Sequence, residues 1–497
     1  MSDHESSATE RERKYDVDDA AVLPRFENFD ADQPMIFTLR ADYFDTADSA
    51  ILRHRAVLRK RTGGGDEGWH LKVDEGEFRR EFQAPLADEP PGWLLDRVRA
   101  IIRDRPLRRI ASVTTLREVT RLSDASGTTI AEVADDRVEA SDAHSGILRM
   151  WREWEVELMA GASPDDAAAN ALLDRVESDL VAAGAVPSRF PSKLVRAMGN
   201  RAKPTPPPPR TALEIALQMI AAHLEMLLAA DAAIRTGDQE GIHDMRTAIG
   251  RLRALLAALR RVLDASVTDN IRERLAVVVR VLEPARDAQV RREHATRLLD
   301  EDRRAHFPGH VRTRLVSEVA RQEQTARSAV IAYLGTSAYF RLLDDLDALV
   351  ARPPLGRHFA ARPRGEMKKV VRKQLRRASK RLAAVNEQDL ASVHDSRKAV
   401  RRARYVAEAL TKPPVHLLGG KWIELASEAT AVQDAAGNHR DAILFVQHLN
   451  SVARDATTNE ENASFYGALA EAETQRSDEL LSESREASAR FRSHVAE

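Results

Sequence analysis

Four consecutive prolines, Pro206 to Pro209, lie within the stretch Lys203 to Arg210 (KPTPPPPR) and divide this chain of 497 residues. Proline has no amide hydrogen and its ring fixes φ, so neither a helix nor a sheet ladder passes through such a run. The run is expected to form a stiff, extended spacer of about 3 Å per residue. The patterning changes across it. Of the chain's 76 basic and 77 acidic residues, 28 and 38 lie in residues 1–200, leaving 48 and 39 for the remainder. The first part is therefore acidic by 10 charges and the rest basic by 9, which points to two domains with different electrostatic tasks.

Composition removes several classes of function. With no cysteine, disulfide frameworks, thiolate catalysis and Cys-zinc sites are excluded. No apolar run approaches the roughly 20 residues of a membrane span, and the polar start MSDHESSATERERKYD lacks a signal-peptide core. A cytoplasmic protein without a membrane partner is the expectation. Aromatic residues make up only 5% of the chain, too few for base-stacking platforms, so nucleic acid is a disfavoured partner.

Before the spacer the hydrophobic period is two. Residues 35–44, 55–61, 68–74, 77–83, 128–134 and 150–158 read as strands, with turn residues such as Gly63-Gly64-Gly65 and Asp124-Ala125-Ser126-Gly127 between them. Residues 91–103 and 164–184 read as helices. This predicts an antiparallel barrel or sandwich. Its charges fall in phase. Glu10, Glu12 and Lys14 share one strand face, Arg59 and Arg61 another, and Glu153, Glu155 and Glu157 a third, with Trp154, Val156 and Leu158 on the opposite side. Charged faces backed by apolar ones are the reverse of an ordinary soluble barrel. Burying charge is costly unless it is paired or binds ions. Carboxylates suit Mg²⁺ or Mn²⁺, and Arg and Lys suit phosphate oxygens. His70 shares the face of Lys72, but nothing in this chemistry requires an imidazole there, and it reads as a structural residue.

After the spacer the period is near 3.6. Residues 211–235, 239–263, 270–299, 311–333, 337–350, 365–385, 389–411, 421–436, 438–454 and 459–490 read as helices. The pattern repeats. His243, Asp244, Arg246, Arg251 and Arg253 match His394, Asp395, Arg397, Arg402 and Arg404 at an offset of 151, and Arg286-Asp287 matches Arg440-Asp441 at 154. Such self-similarity marks a duplicated helical unit. On a helix His394, Arg397, Arg401 and Arg404 fall on one arc, a surface suited to an extended anion. The run 367–381 adds Lys369, Arg372, Lys373 and Arg376. Gly250 stands where the second repeat has Arg401, so the second repeat is expected to contribute more.

Two resemblances sharpen this reading. Residues 8–200 resemble the CYTH, or triphosphate tunnel metalloenzyme, family. The resemblance rests on Glu10-x-Glu12-x-Lys14, Tyr43-Phe44-Asp45-Thr46, Leu58-Arg59-Lys60-Arg61, Trp69-His70-Leu71-Lys72, Arg80-Glu81, Arg117, Ala131 to Val138, Glu153-x-Glu155-x-Glu157 and Ser192-Lys193-Leu194. Residues 211–490 resemble the CHAD domain, on His243-x-x-Arg246, Arg251-x-Arg253, Arg286-Asp287, His394-x-x-Arg397, Arg401-Arg402-x-Arg404-Tyr405 and His439-Arg440-Asp441. The resemblances imply an α+β two-domain chain. Residues 1–200 would form an eight-stranded antiparallel β-barrel tunnel, 201–210 a linker, and 211–497 an all-α duplicated bundle.

The implied activity is divalent-metal-dependent hydrolysis of inorganic triphosphate, or a related triphosphate, in the barrel. Glu10, Glu12, Asp136, Glu155 and Glu157 would hold Mg²⁺ or Mn²⁺. Arg59, Arg61, Lys72, Arg117 and Lys193 would bind phosphate, while Glu10, Glu12, Lys14 and Glu81 are candidate catalytic groups. The helical half would bind inorganic polyphosphate through His243, Arg246, Arg251, Arg253, Lys369, Arg372, Lys373, Arg376, His394, Arg397, Arg401, Arg404 and His439, which would permit association with polyphosphate granules. A nucleotide or thiamine triphosphatase, an adenylate cyclase and a non-catalytic polyphosphate-binding adaptor stay open as alternatives.

Overall fold

The structure is a computed structural model. It describes residues 6–27, 29–74, 79–162, 165–199, 208–301, 308–386 and 389–496, with residues 6–10, 79, 166, 301 and 390 described by backbone alone. Residues 203–207 of the proline-rich stretch and the side chain of Glu10 lie outside the described residues. The described residues fall into two compact units, one ending at 199 and the other beginning at Pro208.

The first unit is one antiparallel sheet. Its strands are β1 (Ser6–Glu10), β2 (Glu12–Asp16), β3 (Asp30–Ala31), β4 (Met35–Asp45), β5 (Ala56–Thr62), β6 (Gly68–Asp74), β7 (Arg79–Ala84), β8 (Arg108–Ser123), β9 (Thr129–Asp142), β10 (Leu148–Leu158) and β11 (Val186–Pro187). The order is β1-β7-β6-β5-β4-β8-β9-β10-β2-β11, with β3 beside β8. Residues 6–16 are a single extended segment interrupted at Arg11. Its first half pairs with β7 and its second half with β10. The same segment thus joins both ends of the path, and the sheet closes into a barrel of eight long strands.

Local chemistry sets the turns. Asp45 ends β4 and accepts hydrogen bonds from the amides of Ile51 and Leu52, both 2.9 Å, through its two carboxylate oxygens. The Tyr43-Phe44-Asp45-Thr46 motif is therefore a turn device. After β5, Gly63 has φ +84°, and a Cβ there would lie 2.1 Å from the Thr38 carbonyl oxygen, so only glycine fits. Asp124 accepts from the amides of Ser126 and Thr128 and closes the β8–β9 turn.

Apolar side chains cover the barrel from outside. Tyr15, Leu122, Val133, Trp154 and Val156 pack against Leu172, Leu173, Val176 and Leu180 of α1 (Asp166–Ala182). Leu58, Trp69, Leu71 and Phe82 pack against Leu94, Val98 and Ile102 from short helical turns. Each fully buried chain of this size contributes roughly 1.5–3 kcal/mol. The hydrophobic effect is satisfied on the outer face, which leaves the inner face for charge. The sixteen-residue strand β8 is absent from the list of strands read in the sequence. Its burial changes phase near Val119 and Thr120, so it carries no continuous period-two signal. A short helix, α2 (Lys193–Ala197), completes the unit, and the Ser192 hydroxyl caps it by accepting from the Val195 amide.

The second unit is all-α: α3 (Ala212–Arg235), α4 (Gly241–Ala258), α5 (Ala265–Glu301), α6 (Glu318–Leu334), α7 (Ser337–Ala351), α8 (Pro363–Ala383), α9 (Leu390–Thr411), α10 (Lys421–Thr458) and α11 (Ser464–Ala496). The run α3-α4-α5-α6 recurs as α8-α9-α10-α11, the duplication expected from the paired motifs. α10 is one helix where the sequence suggests two split at Gly437. A mid-helix glycine costs about 1 kcal/mol, and the packing of Phe445, Leu449 and Val452 against Tyr466 and Leu469 of α11 outweighs it. Among the described residues, α3 alone is long and apolar enough to cross a membrane by length and composition. Its Ile215, Met219, Ile220, Leu224, Leu227 and Ile234 are buried within the helical unit.

Candidate active site and anion-binding groove

Strand parity aims one set of side chains into the barrel, where they line a cavity of about 540 Å³. Register then decides which of them meet. Across β2, β10, β9 and β8 one row reads Glu12–Glu157–Glu132–Arg121, and four residues along another reads Asp16–Glu153–Asp136–Arg117, with Lys14 opposite Glu155 midway between them. Glu12 and Glu132 thus sit directly opposite Glu157 on its two neighbouring strands. Like charges so placed are destabilising, and a cation between them reverses the sign.

The deeper acids are already compensated. Lys193 Nζ lies 2.8 Å from Asp136, 2.6 Å from Glu153 and 2.6 Å from Glu155. Arg117 donates to Asp136 through Nε at 2.7 Å and to Glu155 through Nη2 at 2.6 Å. Lys14 bridges Glu12, at 2.7 Å, and Glu155. Burial pushes the Glu155 and Asp136 carboxyls up, but these cations more than offset it and hold both below the usual carboxylate range. Burial likewise works against the charged forms of Lys193 and Arg117, and the carboxylates around them raise both above their ordinary values. Asp136, Glu153 and Glu155 offer oxygens within 4.8 Å of one another, a set that could hold a cation. Lys193 lies against all three and Arg117 against Asp136 and Glu155, while Glu12, Glu155 and Glu157 line the cavity itself. Replacing Lys193 by Met leaves three buried carboxylates facing one another. We expect a loss of roughly 3–5 kcal/mol in urea unfolding of the N-terminal unit; a loss below about 1 kcal/mol would contradict this pairing.

The opposite wall is basic. Arg59 and Arg61 of β5 and Lys72 of β6 line the cavity with Glu81 of β7. Glu81 lies 3.5 Å from Arg59 Nη2 and 3.6 Å from Lys72 Nζ. Arg61 pairs with Asp66. Burial, and then the neighbouring Arg59, still pull the Arg61 guanidinium down, so this wall favours an added anion. The third sector is apolar: Met35, Phe37 and Leu39 of β4 with Val119 and Met159.

Lys14, Glu12, Arg59, Arg61, Lys72, Glu81, Arg117, Glu155, Glu157 and Lys193 are thus gathered around one cavity. Glu10 is placed only by its backbone, opposite Arg79. In the barrel, sequence reasoning missed three residues. Glu132 has no role legible in the sequence, because its position opposite Glu157 follows from register alone. Glu153 was placed on the right face but not in the site. His70, read as structural, reaches Glu81 with Nδ1 at 2.8 Å and the Asp66 carbonyl with Nε2 at 2.9 Å; its parity with Lys72 was the available signal.

In the helical unit α4 and α9 pack together. Arg246 faces Asp287, Arg286 and Arg401; Arg253 faces Arg272, Arg280 and Arg401. Arg397 faces Arg440, Arg401 and Asp441, and burial followed by the two arginines pulls it down to about 10. Arg402 faces Arg377, Arg272 and Arg253. These side chains form one track of mutually repelling guanidinium groups. A second cavity of about 350 Å³ continues it, lined by Arg272, Lys369, Lys373, Arg377 and Arg402. His243 and His394 are exposed at helix surfaces, and His439 lies beside Arg440 on α10. Gly250 is explained by packing, since a Cβ there would lie 3.1 Å from the Tyr405 ring. Arg401 of the second repeat is close enough to both Arg246 and Arg253 for its charge to lower them.

Two of the expected anion contacts already have a carboxylate partner. Arg251 Nη2 lies 2.8 Å from Glu408, and Arg404 Nε donates to the same carboxylate at 3.0 Å. Glu408 is 3% exposed. Burying that carboxylate requires both arginines as partners, so these half-buried side chains are engaged by Glu408, and Arg402, outside the expected set, joins the track. Arg372 lies 6.0 Å from the Trp422 ring, and it and Arg376 are exposed on α8 outside the second cavity.

Comparison with known proteins places both units. The CYTH domain model matches residues 8–177 and the CHAD domain model residues 218–450. The uncharacterized protein Rv2226 of Mycobacterium tuberculosis (strain H37Rv) is 34% identical over 490 residues, covering 93% of this chain and 92% of its own. Partial structural likeness is found to PptA from Streptomyces chartreusis (TM-score 0.45, 18% identity, 56% of this chain and 99% of that one). It extends to the CHAD domain of the plant Ricinus communis (0.45, 22%, 60% and 96%) and to the PH1819 protein of Pyrococcus horikoshii (0.26, 15%, 39% and 99%). With both domain models matched in order and a full-length relative alongside, this chain belongs to the proteins that join a CYTH domain to a CHAD domain.

Proposed function

We propose that the barrel hydrolyses inorganic triphosphate with a divalent cation and that the helical unit holds inorganic polyphosphate. The observation that carries this reading is the division of one cavity between a carboxylate wall, with Glu12, Glu155 and Glu157, and a cationic wall, with Arg59, Arg61 and Lys72. The donor set suits Mg²⁺ or Mn²⁺: all-oxygen, with glutamates opposed across the ladder. Glu12 and Glu157 would hold the ion, with Glu155 behind them and Glu10 at the neighbouring position of the same segment. Bound there, it would supply Lewis-acid polarisation of a phosphoryl oxygen.

The chain's own residues do the rest. Arg59 and Arg61 offer guanidinium forks for phosphate oxygens, and Lys72 a point charge. Arg117 and Lys193 temper the negative wall so that a polyanion can approach it. Charge spread over the transferring phosphoryl group is neutralised in a site that needs no reorganisation. Glu81, ionised and turned toward the cavity, is placed to accept a hydrogen bond from the attacking water.

One observation favours a second reading. Met35, Phe37, Leu39 and Met159 face the same cavity, and inorganic triphosphate has nothing apolar to set against them, whereas a nucleoside or thiamine triphosphate does. Phosphate release from triphosphate, ATP, thiamine triphosphate and long-chain polyphosphate, each with Mg²⁺, with Mn²⁺ and with EDTA, tests both. The primary reading expects triphosphate to have the highest kcat/KM and EDTA to abolish release. A preference for an organic triphosphate transfers the assignment to the second reading. No release from any substrate leaves the anion-binding track as the function.

A further inference from the structure

His70 is 1% exposed in the middle of β6, and both of its ring nitrogens are committed. Nδ1 meets Glu81 Oε1 at 2.8 Å, and Nε2 meets the Asp66 carbonyl oxygen at 2.9 Å. A carbonyl only accepts, so Nε2 carries a hydrogen. An ionised carboxylate only accepts, so Nδ1 carries one too. The ring is a double donor between two acceptors. Burial raises the Glu81 carboxyl, but the His70 hydrogen bond leads the effects that hold it below its usual range.

The two acceptors lead to three cations. Glu81 lies beside Arg59 and Lys72, and the side chain of Asp66 pairs with Arg61. Asp66 ends the loop Gly63-Gly64-Gly65-Asp66, whose last three residues line the cavity. Three glycines bring no side chain to fix such a loop; the Glu67 carboxylate accepts from the Gly63 amide at its start, and the His70 bond to the Asp66 carbonyl holds its far side.

We propose that His70 is a positioning residue that ties Glu81 to the loop after β5 and thereby sets Arg59, Arg61 and Lys72 at phosphate spacing. The consequence for triphosphate rests on the function proposed above; the tie itself does not. Without His70, Glu81 and the loop move independently, and the cations are ordered only when substrate arrives. The loss falls on binding through the three cations and on turnover through Glu81, so KM rises and kcat falls with it.

Three substitutions separate the two bonds. Asn places its amide near the Nδ1 position and can still donate to Glu81. Gln places its amide near the Nε2 position and can still donate to the Asp66 carbonyl. Leu fills a similar volume and donates to neither. With full-length protein and no substrate, amide hydrogen exchange over residues 63–67 is expected to rise in His70→Leu and His70→Asn and to stay near wild type in His70→Gln. KM for triphosphate is expected to rise about tenfold or more in His70→Leu, the scale of one lost charge-assisted hydrogen bond, with a fall in kcat alongside it, and to rise less in the two amide variants.

Unchanged loop exchange in His70→Leu, or equal exchange in all three variants, would overturn the proposal and leave His70 as a packing residue. If His70→Leu does not fold, the contrast between Asn and Gln decides. If the wild type neither binds nor cleaves triphosphate, the functional reading fails, while the exchange pattern still decides the role of His70.

Discussion

Glu157→Gln is expected to lower metal-dependent phosphate release by at least about 10³-fold while leaving the barrel as stable as wild type or slightly more so. The two effects have opposite signs for one reason. Glu157 faces Glu12 and Glu132 directly across the ladder, so neutralising it removes like-charge repulsion worth up to about 1 kcal/mol. The same change removes a carboxylate ligand from the proposed cation site, where losing a well-placed electrostatic group typically costs 10²–10³ or more. A third readout separates metal binding from chemistry. Added Mn²⁺ should raise the thermal midpoint of the wild type, because a ligand bound only to the folded state stabilises it; in Glu157→Gln that rise should vanish. Turnover within tenfold of wild type, or an undiminished Mn²⁺ shift, would remove Glu157 from the cation site. Glu155→Gln is not an equivalent test, since Lys14, Lys193 and Arg117 all lean on Glu155 and its neutralisation would disturb the fold as well.

Replacing Arg397 and Arg401 together by Gln is expected to weaken long-chain polyphosphate binding by about 100-fold at low salt, more than replacing Arg246 and Arg253. Arg401 is the reason for the ranking: it faces Arg246, Arg253 and Arg397 at once, so its loss interrupts the track at its junction. The affinity of the wild type should fall linearly on a log–log plot against salt, by analogy with counterion release from nucleic acids, and the double variant should have a shallower slope. Arg251→Gln and Arg404→Gln serve as contrasts. They should leave Glu408 undercompensated and lower stability, with little specific effect on affinity. The pH dependence has a definite sign. Partial desolvation at the helix surface, with Arg286 beside His243 and Lys398 and Arg397 beside His394, lowers both histidines from their ordinary value of 6.5. They are neutral at pH 7, so affinity should be flat between pH 7 and 8 and increase only as pH falls below about 6.5. Titrations of the full-length protein with polyphosphate and with duplex DNA of matched charge, at pH 5.5 and 7.5, check this. Undiminished binding by the double variant, or tighter binding of DNA, would assign the track to another partner.

Much of this arrangement is legible in the chain before any fold is known. The prolines at 206–209 and the switch from period two to period 3.6 separate the two architectures. Parity alone puts Glu12 with Lys14, Arg59 with Arg61, and Glu155 with Glu157, because successive strand residues point to opposite faces whatever the partner strand. The offset of 151 between His243 and His394 announces the duplicated helices.

What tertiary structure decided is which of these side chains meet. Parity is a property of one strand, but register belongs to two. The opposition of Glu132 to Glu157, and the cluster of Asp136, Glu153 and Glu155 around Lys193, appear only when turns such as Gly63 and Asp124–Gly127 and the outer apolar packing set the ladders. His70 looked idle because its acceptors come from another strand and from a backbone carbonyl. On the helices, the arc that grouped Arg404 with Arg401 was geometrically sound, yet Glu408 one turn along α9 pairs with Arg404, and the packing of α4 on α9 brings Arg251 to the same carboxylate, while Tyr405 occupies the space that Gly250 leaves. A charge pattern along one element states what can face the same way; the desolvation of a partner on the next element determines which charges are bound inside and which remain free to take an anion.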